Sequence, residues 1–154
     1  MHCFDPPAHP GTYALLLPSK ITSLVRIGKL GTLPVDPGFY VYIGSAFGQG
    51  GLRSRVANHR KVSTRPHWHI DYLRPETSLQ SAWYTCDVTK REHLWAAVMG
   101  AIPGAQIPLE GFGASDCNCP THLFCFAEMF KDACFENHIS ERCRGHGDIC
   151  EVVC

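Results

Sequence analysis

Two short stretches hold most of the residue types that can do chemistry. The run from Tyr40 to Arg60, YVYIGSAFGQGGLRSRVANHR, sets two tyrosines on a strand-like segment. A glycine-rich turn follows, and then a helix-like segment carrying Arg53, Arg55, His59 and Arg60. No acidic residue interrupts the run, and positive charge without a local counter-charge is where a phosphate would settle. The second stretch, SDCNCPTH, supplies Asp116, Cys117, Cys119 and His122. Cysteines two apart with a histidine three further on can form part of a zinc or iron site. The competing reading is a tight loop with buried thiols, since the spacing is not a Cys-x-x-Cys knuckle and no fourth ligand is evident. Cys134, His138, Cys143, His146, Cys150 and Cys154 are spaced too irregularly to suggest a coordination geometry.

The elements that must position these residues can be read from pattern. GTYALLLPS is dense in apolar and β-favouring residues and reads as a buried strand that Pro18 ends. SLVRIGKLGTLPVDPGFYVYIGSA reads as short strands split by turns at Gly28, Gly31 and Asp36-Pro37-Gly38, with FYVYIG a central strand. Leu52, Val56 and His59 recur at helical spacing on one face, leaving Arg53, Asn58 and Arg60 elsewhere. PHWHIDYLRPE is open between a short helix and an extended segment. LQSAWYTCDV reads as a third strand, TKREHLWAAVMGA as a helix whose Thr89 and Glu92 match a capping box, and LFCF as a last short strand. Trp68, Trp83 and Trp95 are expected as core anchors. The same is expected of Tyr40, on the strand face opposite Tyr42 if the register holds. The expected fold is α/β in the α+β sense: a small mixed, mainly antiparallel sheet flanked by helices.

With 154 residues the chain is the size of one domain. Residues 1–10 read as a disordered lead-in, 11–126 as the domain, and 127–154 as an acidic, cysteine-containing tail. Basic and acidic residues balance at 14 each, so bulk charge names no partner. Their distribution is dipolar: five Arg or Lys and no acid between Gly44 and Ile70, against six acids and three bases from Ala127 on. No signal-peptide pattern and no membrane-length apolar run is visible, so the nine cysteines are expected as reduced thiols or metal ligands in a cytoplasmic protein.

Taken together, GTY at Gly11–Tyr13, YIG at Tyr42–Gly44, LRSRVANH, HWHIDYL and GFGASDCNCPTHLF resemble the GIY-YIG nuclease superfamily. More narrowly they resemble a largely uncharacterised subgroup of it, sometimes found joined to a DNA-repair glycosylase. The resemblance covers roughly Gly11 to Phe126. It implies that Tyr13 and Tyr42 are paired active-site tyrosines, that Arg55 is the helix arginine, and that His59 assists one turn later. It further implies that Gly44, Ser45, Arg53, Arg60 and Lys61 lie along DNA, and that one glutamate, here Glu92, holds Mg²⁺ or Mn²⁺. Arg55 would offer a planar fork to phosphate oxygens, and His59, four residues on, would converge on the same phosphate. Glu92 reads equally well as a helix cap, with His69 and Asp71 as substitutes or supporting groups.

Three departures from the family pattern are visible. Tyr13 and Tyr42 stand 29 positions apart, which requires an inserted hairpin. Ser45 stands where many relatives have Lys, and the family's late asparagine has no counterpart at a matching place. The implied function is divalent-metal-dependent endonucleolytic cleavage of DNA, with DNA repair as its setting. The alternatives are a nucleic-acid-binding module without catalysis, or a metal or redox sensor built on Cys117, Cys119 and His122, with zinc as its metal.

Overall fold

A computed structural model describes residues 5–115 and 117–154. Seven strands and four helices occur in the order β1 (Thr12–Ser19), β2 (Ser23–Ile27), β3 (Gly31–Val35), β4 (Gly38–Ser45), α1 (Gly51–Arg60), α2 (His69–Leu73), β5 (Ser81–Thr85), α3 (Glu92–Ala101), β6 (Leu123–Phe126), α4 (Asp132–Arg142) and β7 (Cys150–Val153). A 3-10 turn, Arg74–Glu76, continues α2. Five strands form one sheet in the order β6-β4-β1-β5-β7, and each neighbouring pair is antiparallel. The fold is thus α+β as expected, with the sheet antiparallel throughout rather than mixed.

Among the described residues, strands β2 and β3 pair only with each other, as the expected hairpin between the two tyrosine strands. Pro18 does not end β1 but lies inside it, opposite Phe39 of β4. Its carbonyl accepts the Ser78 N–H on the β5 side, where pairing with β5 has already stopped at Leu16. The missing proline N–H therefore leaves no gap in the ladder.

Alternation along β1 and β4 splits the core in two. Tyr13, Leu15, Leu17, Tyr40 and Tyr42 face one side, packed with Leu52 and Val56 of α1, Ile70 and Leu73 of α2, and the β2–β3 hairpin. Ala14, Leu16, Val41 and Ile43 face the other, against Trp95, Val98 and Met99 of α3 and Phe135 and Ile139 of α4. Tyr40 is buried as expected, but on the same face as Tyr42, because residues two apart on a strand share a side.

The segments before β1 and after β6 pack against the domain. Residues Asp5 to Pro10, read as disordered, lie along α1: Leu52 N–H donates to the His9 carbonyl at 2.9 Å, and Arg53 N–H to the Pro7 carbonyl at 3.2 Å. These contacts satisfy N–H groups that the first turn of a helix leaves without partners. Beyond Phe126, the segment set apart as a tail adds α4 to one face and β7 to the sheet edge. Among the described residues no helix is long and apolar enough to cross a membrane.

Candidate active site

Residues of β1, β4, α1, the segment entering α2, the segment entering α3, and the loop before β6 meet at a surface cleft of about 470 Å³. Its walls include Tyr13, Tyr42, Gly44, Ser45, Arg55, Trp68, His69, Lys90 and Glu92. The sheet places the tyrosines first. Tyr13 pairs with Gly44 across the β1–β4 ladder, and Leu15 with Tyr42, so the two phenols are diagonal neighbours on one face with ring centroids 6.5 Å apart. Gly44 has a defined reason to be glycine. A Cβ there would stand 2.4 Å from the Tyr13 hydroxyl oxygen and 2.5 Å from Cζ, so the Tyr13 ring lies across the space a side chain would need.

Behind Tyr13 lies His59. Its Nε2 is 2.8 Å from the Tyr13 hydroxyl, and both residues are buried. The expectation that His59 joins Arg55 on a phosphate does not match this geometry. His59 shares the buried helix face with Leu52 and Val56, whereas Arg55 lines the cleft. Burial, reinforced by the nearby Arg55 charge, lowers the His59 pKa to about 4, so the ring is neutral at pH 7. Burial also raises the Tyr13 pKa well above its ordinary value, with the Tyr42 hydroxyl adding to the shift. Arg74, not singled out in the sequence, anchors this assembly from behind. Its buried side chain donates Nε–H to the His59 carbonyl at 2.7 Å and so satisfies a carbonyl of the last turn of α1.

Glu92 opens α3, yet it does not cap it. The N-cap position is Arg91, without a side-chain cap bond, and Thr89 takes no part. Instead Arg91 N–H donates to Thr12 Oγ1 at 3.0 Å, tying the start of α3 to β1. The Glu92 carboxylate turns to the cleft: Ser45 Oγ–H donates to Oε2 at 2.6 Å, and His122 Nδ1 lies 2.8 Å from Oε1. Burial alone would raise this carboxyl, but the His122 and Ser45 contacts outweigh it and hold the pKa below the ordinary value. Ser45, in the position where the resemblance expected a lysine, thus orients the carboxylate. Lys90 in the cleft wall supplies a cation from another segment.

Trp68 is the residue that sequence reasoning misplaced most clearly. It is 51% exposed at the cleft rim rather than in the core, and the Arg55 guanidinium carbon lies 5.1 Å from its ring centroid. An exposed indole beside a guanidinium is a platform for a flat ring. Trp83 and Trp95 are buried as expected. Asp71 does not serve the cleft. Its Oδ2 accepts the N–H groups of His67 and Trp68 at 2.9 Å each, which fixes the backbone entering α2. His69 does line the cleft, and its Nδ1 accepts the Gly113 N–H at 2.8 Å.

The other basic residues of α1 lie outside the cleft lining. Arg53 is exposed and donates Nε–H to the Pro6 carbonyl at 3.2 Å. Arg60 pairs with Asp5, an acid that the run from Tyr40 to Arg60 could not reveal. Lys61 is exposed just past the helix. Cys117, Cys119 and His122 come together beside Glu92, with the His122 Nε2 atom 3.5 Å from Cys117 Sγ. The thiols are half-buried rather than buried, and the Cys119 thiol is pushed up to about 11 by desolvation and by Cys117 beside it. Asp116 lies outside the described residues.

Among the described residues the cleft lining therefore combines two phenols, one guanidinium, one lysine and one carboxylate, that of Glu92. A magnesium or manganese ion commonly takes one or two protein carboxylates and completes its shell with water and phosphate. Glu92, with the Ser45 hydroxyl beside it, fits that requirement. No curated protein and no solved structure matches the chain. The family described as "Domain of unknown function DUF123" matches residues 12–144, most of the 154-residue chain, and the protein belongs to that family.

Proposed function

We propose that the cleft is the active site of a divalent-metal-dependent endonuclease of the GIY-YIG type, acting on DNA phosphodiesters. The observation that carries the reading is convergence: Tyr13, Tyr42, Arg55 and Glu92, brought from four separate elements, border one cleft. Phosphodiester hydrolysis needs charge stabilisation on the phosphorane, a path for the water proton, and relief of charge on the departing oxygen. Arg55 lies at the cleft wall with its guanidinium steadied by Trp68, poised to hold non-bridging oxygens with its fork. Glu92 would hold the Mg²⁺ or Mn²⁺ ion, which when bound supplies Lewis-acid stabilisation of phosphate charge.

Within this reading the two tyrosines divide their work. Tyr13 is committed to His59 and acts as a positioning residue, keeping the floor of the cleft rigid. Tyr42, somewhat more exposed, is the phenol that meets the attacking water and relays its proton. Ser45 and His122 aim the carboxylate. Trp68 offers a stacking surface to a base next to the scissile phosphate, and Lys90, Arg53 and Lys61 contribute charge along the backbone. A DNA-repair context, with a glycosylase as partner, is the setting the resemblance favours, and the cytoplasm the compartment.

A second reading, nucleic-acid binding without cleavage, draws on one specific observation. Both Glu92 oxygens already have close partners, and the Tyr13 phenol resists ionisation. Purified protein incubated with nicked, flapped and abasic duplexes, with magnesium or manganese, separates the two. The nuclease reading expects metal-dependent strand scission that Glu92→Gln abolishes. Salt-dependent binding with no scission of any substrate would select the binding module instead.

A further inference from the structure

We propose that His93, Cys117, Cys119 and His122 form a structural zinc site, separate from the ion that Glu92 would hold in the cleft. Sequence spacing yields only three of these residues. The fourth, His93, belongs to the first turn of α3, far upstream in the chain, and is exposed on the helix surface. The fold brings it to the others: one ligand atom from each of the four residues lies within 4.8 Å of every other.

The donor set is two sulfurs and two imidazole nitrogens, the composition of closed tetrahedral zinc sites. Distance agrees with chemistry. Zn–S bonds of about 2.3 Å and Zn–N bonds of about 2.0–2.1 Å at a tetrahedral angle put sulfur and nitrogen about 3.6 Å apart. Cys117 Sγ and His122 Nε2 are 3.5 Å apart. A two-iron cluster with the same ligand types would spread them over two metal atoms, whereas these four ligand atoms all lie within 4.8 Å of one another.

His122 is held ready for the role. Its N–H donates to the Phe112 carbonyl at 2.8 Å, and its carbonyl accepts the Ile43 N–H at 2.9 Å, so the backbone is fixed on both sides. The side chain is almost wholly buried, and Nδ1 lacks a well-aligned hydrogen bond despite lying 2.8 Å from Glu92 Oε1. A metal on Nε2 would place the ring proton on Nδ1 and turn that close approach into a carboxylate–histidine–metal relay. The site would then do two things. It would fasten the loop between α3 and β6 to the start of α3, and it would fix the orientation of Glu92 at the cleft. The same loop reaches the cleft through Gly113, whose N–H meets His69 and whose added Cβ would stand 3.0 Å from Tyr42 Cε1.

The test uses the full chain, stripped with a chelator under reducing conditions and titrated with Co²⁺ and then Zn²⁺. The expected result is saturation at one equivalent, with thiolate-to-cobalt charge-transfer absorption and the intense ligand-field bands of tetrahedral cobalt, displaced by zinc. Loss of a ligand should weaken zinc by more than the roughly 10–100-fold that loss of a supporting partner costs. His93→Ala is the discriminating variant, because His93 is exposed and its removal leaves the apo fold intact. It should abolish the zinc-induced rise in melting temperature without changing that of the apo protein. Cys117→Ser should lose the charge-transfer band in part, and Cys143→Ser, in the α4 region, should titrate like wild type. Absence of thiolate–cobalt absorption, or a His93→Ala variant that binds as tightly as wild type, would overturn the site.

Discussion

On the α1 side of the sheet, Tyr13 and Tyr42 carry hydroxyls to a cleft. On the α3 side, their immediate chain neighbours Ala14, Val41 and Ile43 meet Trp95, Val98 and Phe135. The same two strands therefore build both an apolar floor and a polar site, separated only by the alternation of the pleat. The cleft side admits a buried hydroxyl–imidazole pair and an ionised carboxylate at its edge. The other side seals its indole N–H groups with the C-terminal segment: Trp95 Nε1–H donates to His146 Nε2 at 2.9 Å, and Trp83 Nε1–H to Glu151 at 3.0 Å. Both faces carry a packed apolar core, but the cleft opens on the α1 side, so substitutions there should affect chemistry as well as stability, whereas those on the α3 face should act through stability.

The largest effect is expected on the packed face. Trp95 is fully buried against Phe135 and His146, and Trp95→Ala should lose about 3–5 kcal/mol in urea unfolding, enough to threaten the fold. The next lies behind the cleft and depends on pH. The His59 imidazole titrates near 6.5 when unfolded but only near 4 when folded, so the unfolded chain binds the proton more readily between those values. Stability is complete above about pH 6.5 and falls as pH drops toward 4, by about 3 kcal/mol from this residue. His59→Gln should flatten that part of the stability–pH curve; an unchanged curve would remove His59 as its source.

Gly44→Ala should cost about 1–3 kcal/mol through overpacking, since Tyr13 must leave its bond to His59 to admit the methyl group. Its cleavage activity should fall with it, and a variant of wild-type stability and activity would show that the Tyr13 ring can yield. Trp68→Ala should give the smallest change. Its exposure leaves folding stability within about 0.5 kcal/mol, while affinity for single-stranded or flapped DNA should weaken by about 1 kcal/mol in a gel-shift titration.

The cores of β1, β4, β5 and β6, and α1, were legible because local pattern decides them. YALLL and FYVYIG are dense in β-favouring residues, and the 29-position gap between Tyr13 and Tyr42, set against the spacing the resemblance implies, calls for an inserted hairpin. What the pattern could not show was which partner a polar residue would find. Glu92 had the spacing of a capping box, but the carboxylate is drawn to Ser45 and His122, from β4 and from the loop before β6. Arg60 had no acid nearby in sequence until the N-terminal segment folded Asp5 against it. Trp68 has the composition of a core residue, yet Asp71 holds the backbone entering α2 so that the indole stays at the cleft rim. The segment after Phe126 has no clean period because α4 buries only Phe135 and Ile139 and β7 only Val152, too few residues to set one.

The central claim is that Arg55 and Glu92 act on a phosphodiester in one cleft. The most direct measurement is the single-turnover cleavage rate of wild type and Arg55→Ala, on whichever of the nicked, flapped or abasic duplexes wild type cuts, at matched metal concentration and with urea midpoints shown equal. The account predicts cleavage about 10²–10³-fold slower in the variant, a loss of about 3–4 kcal/mol of transition-state stabilisation. Equal rates in the two proteins would contradict it.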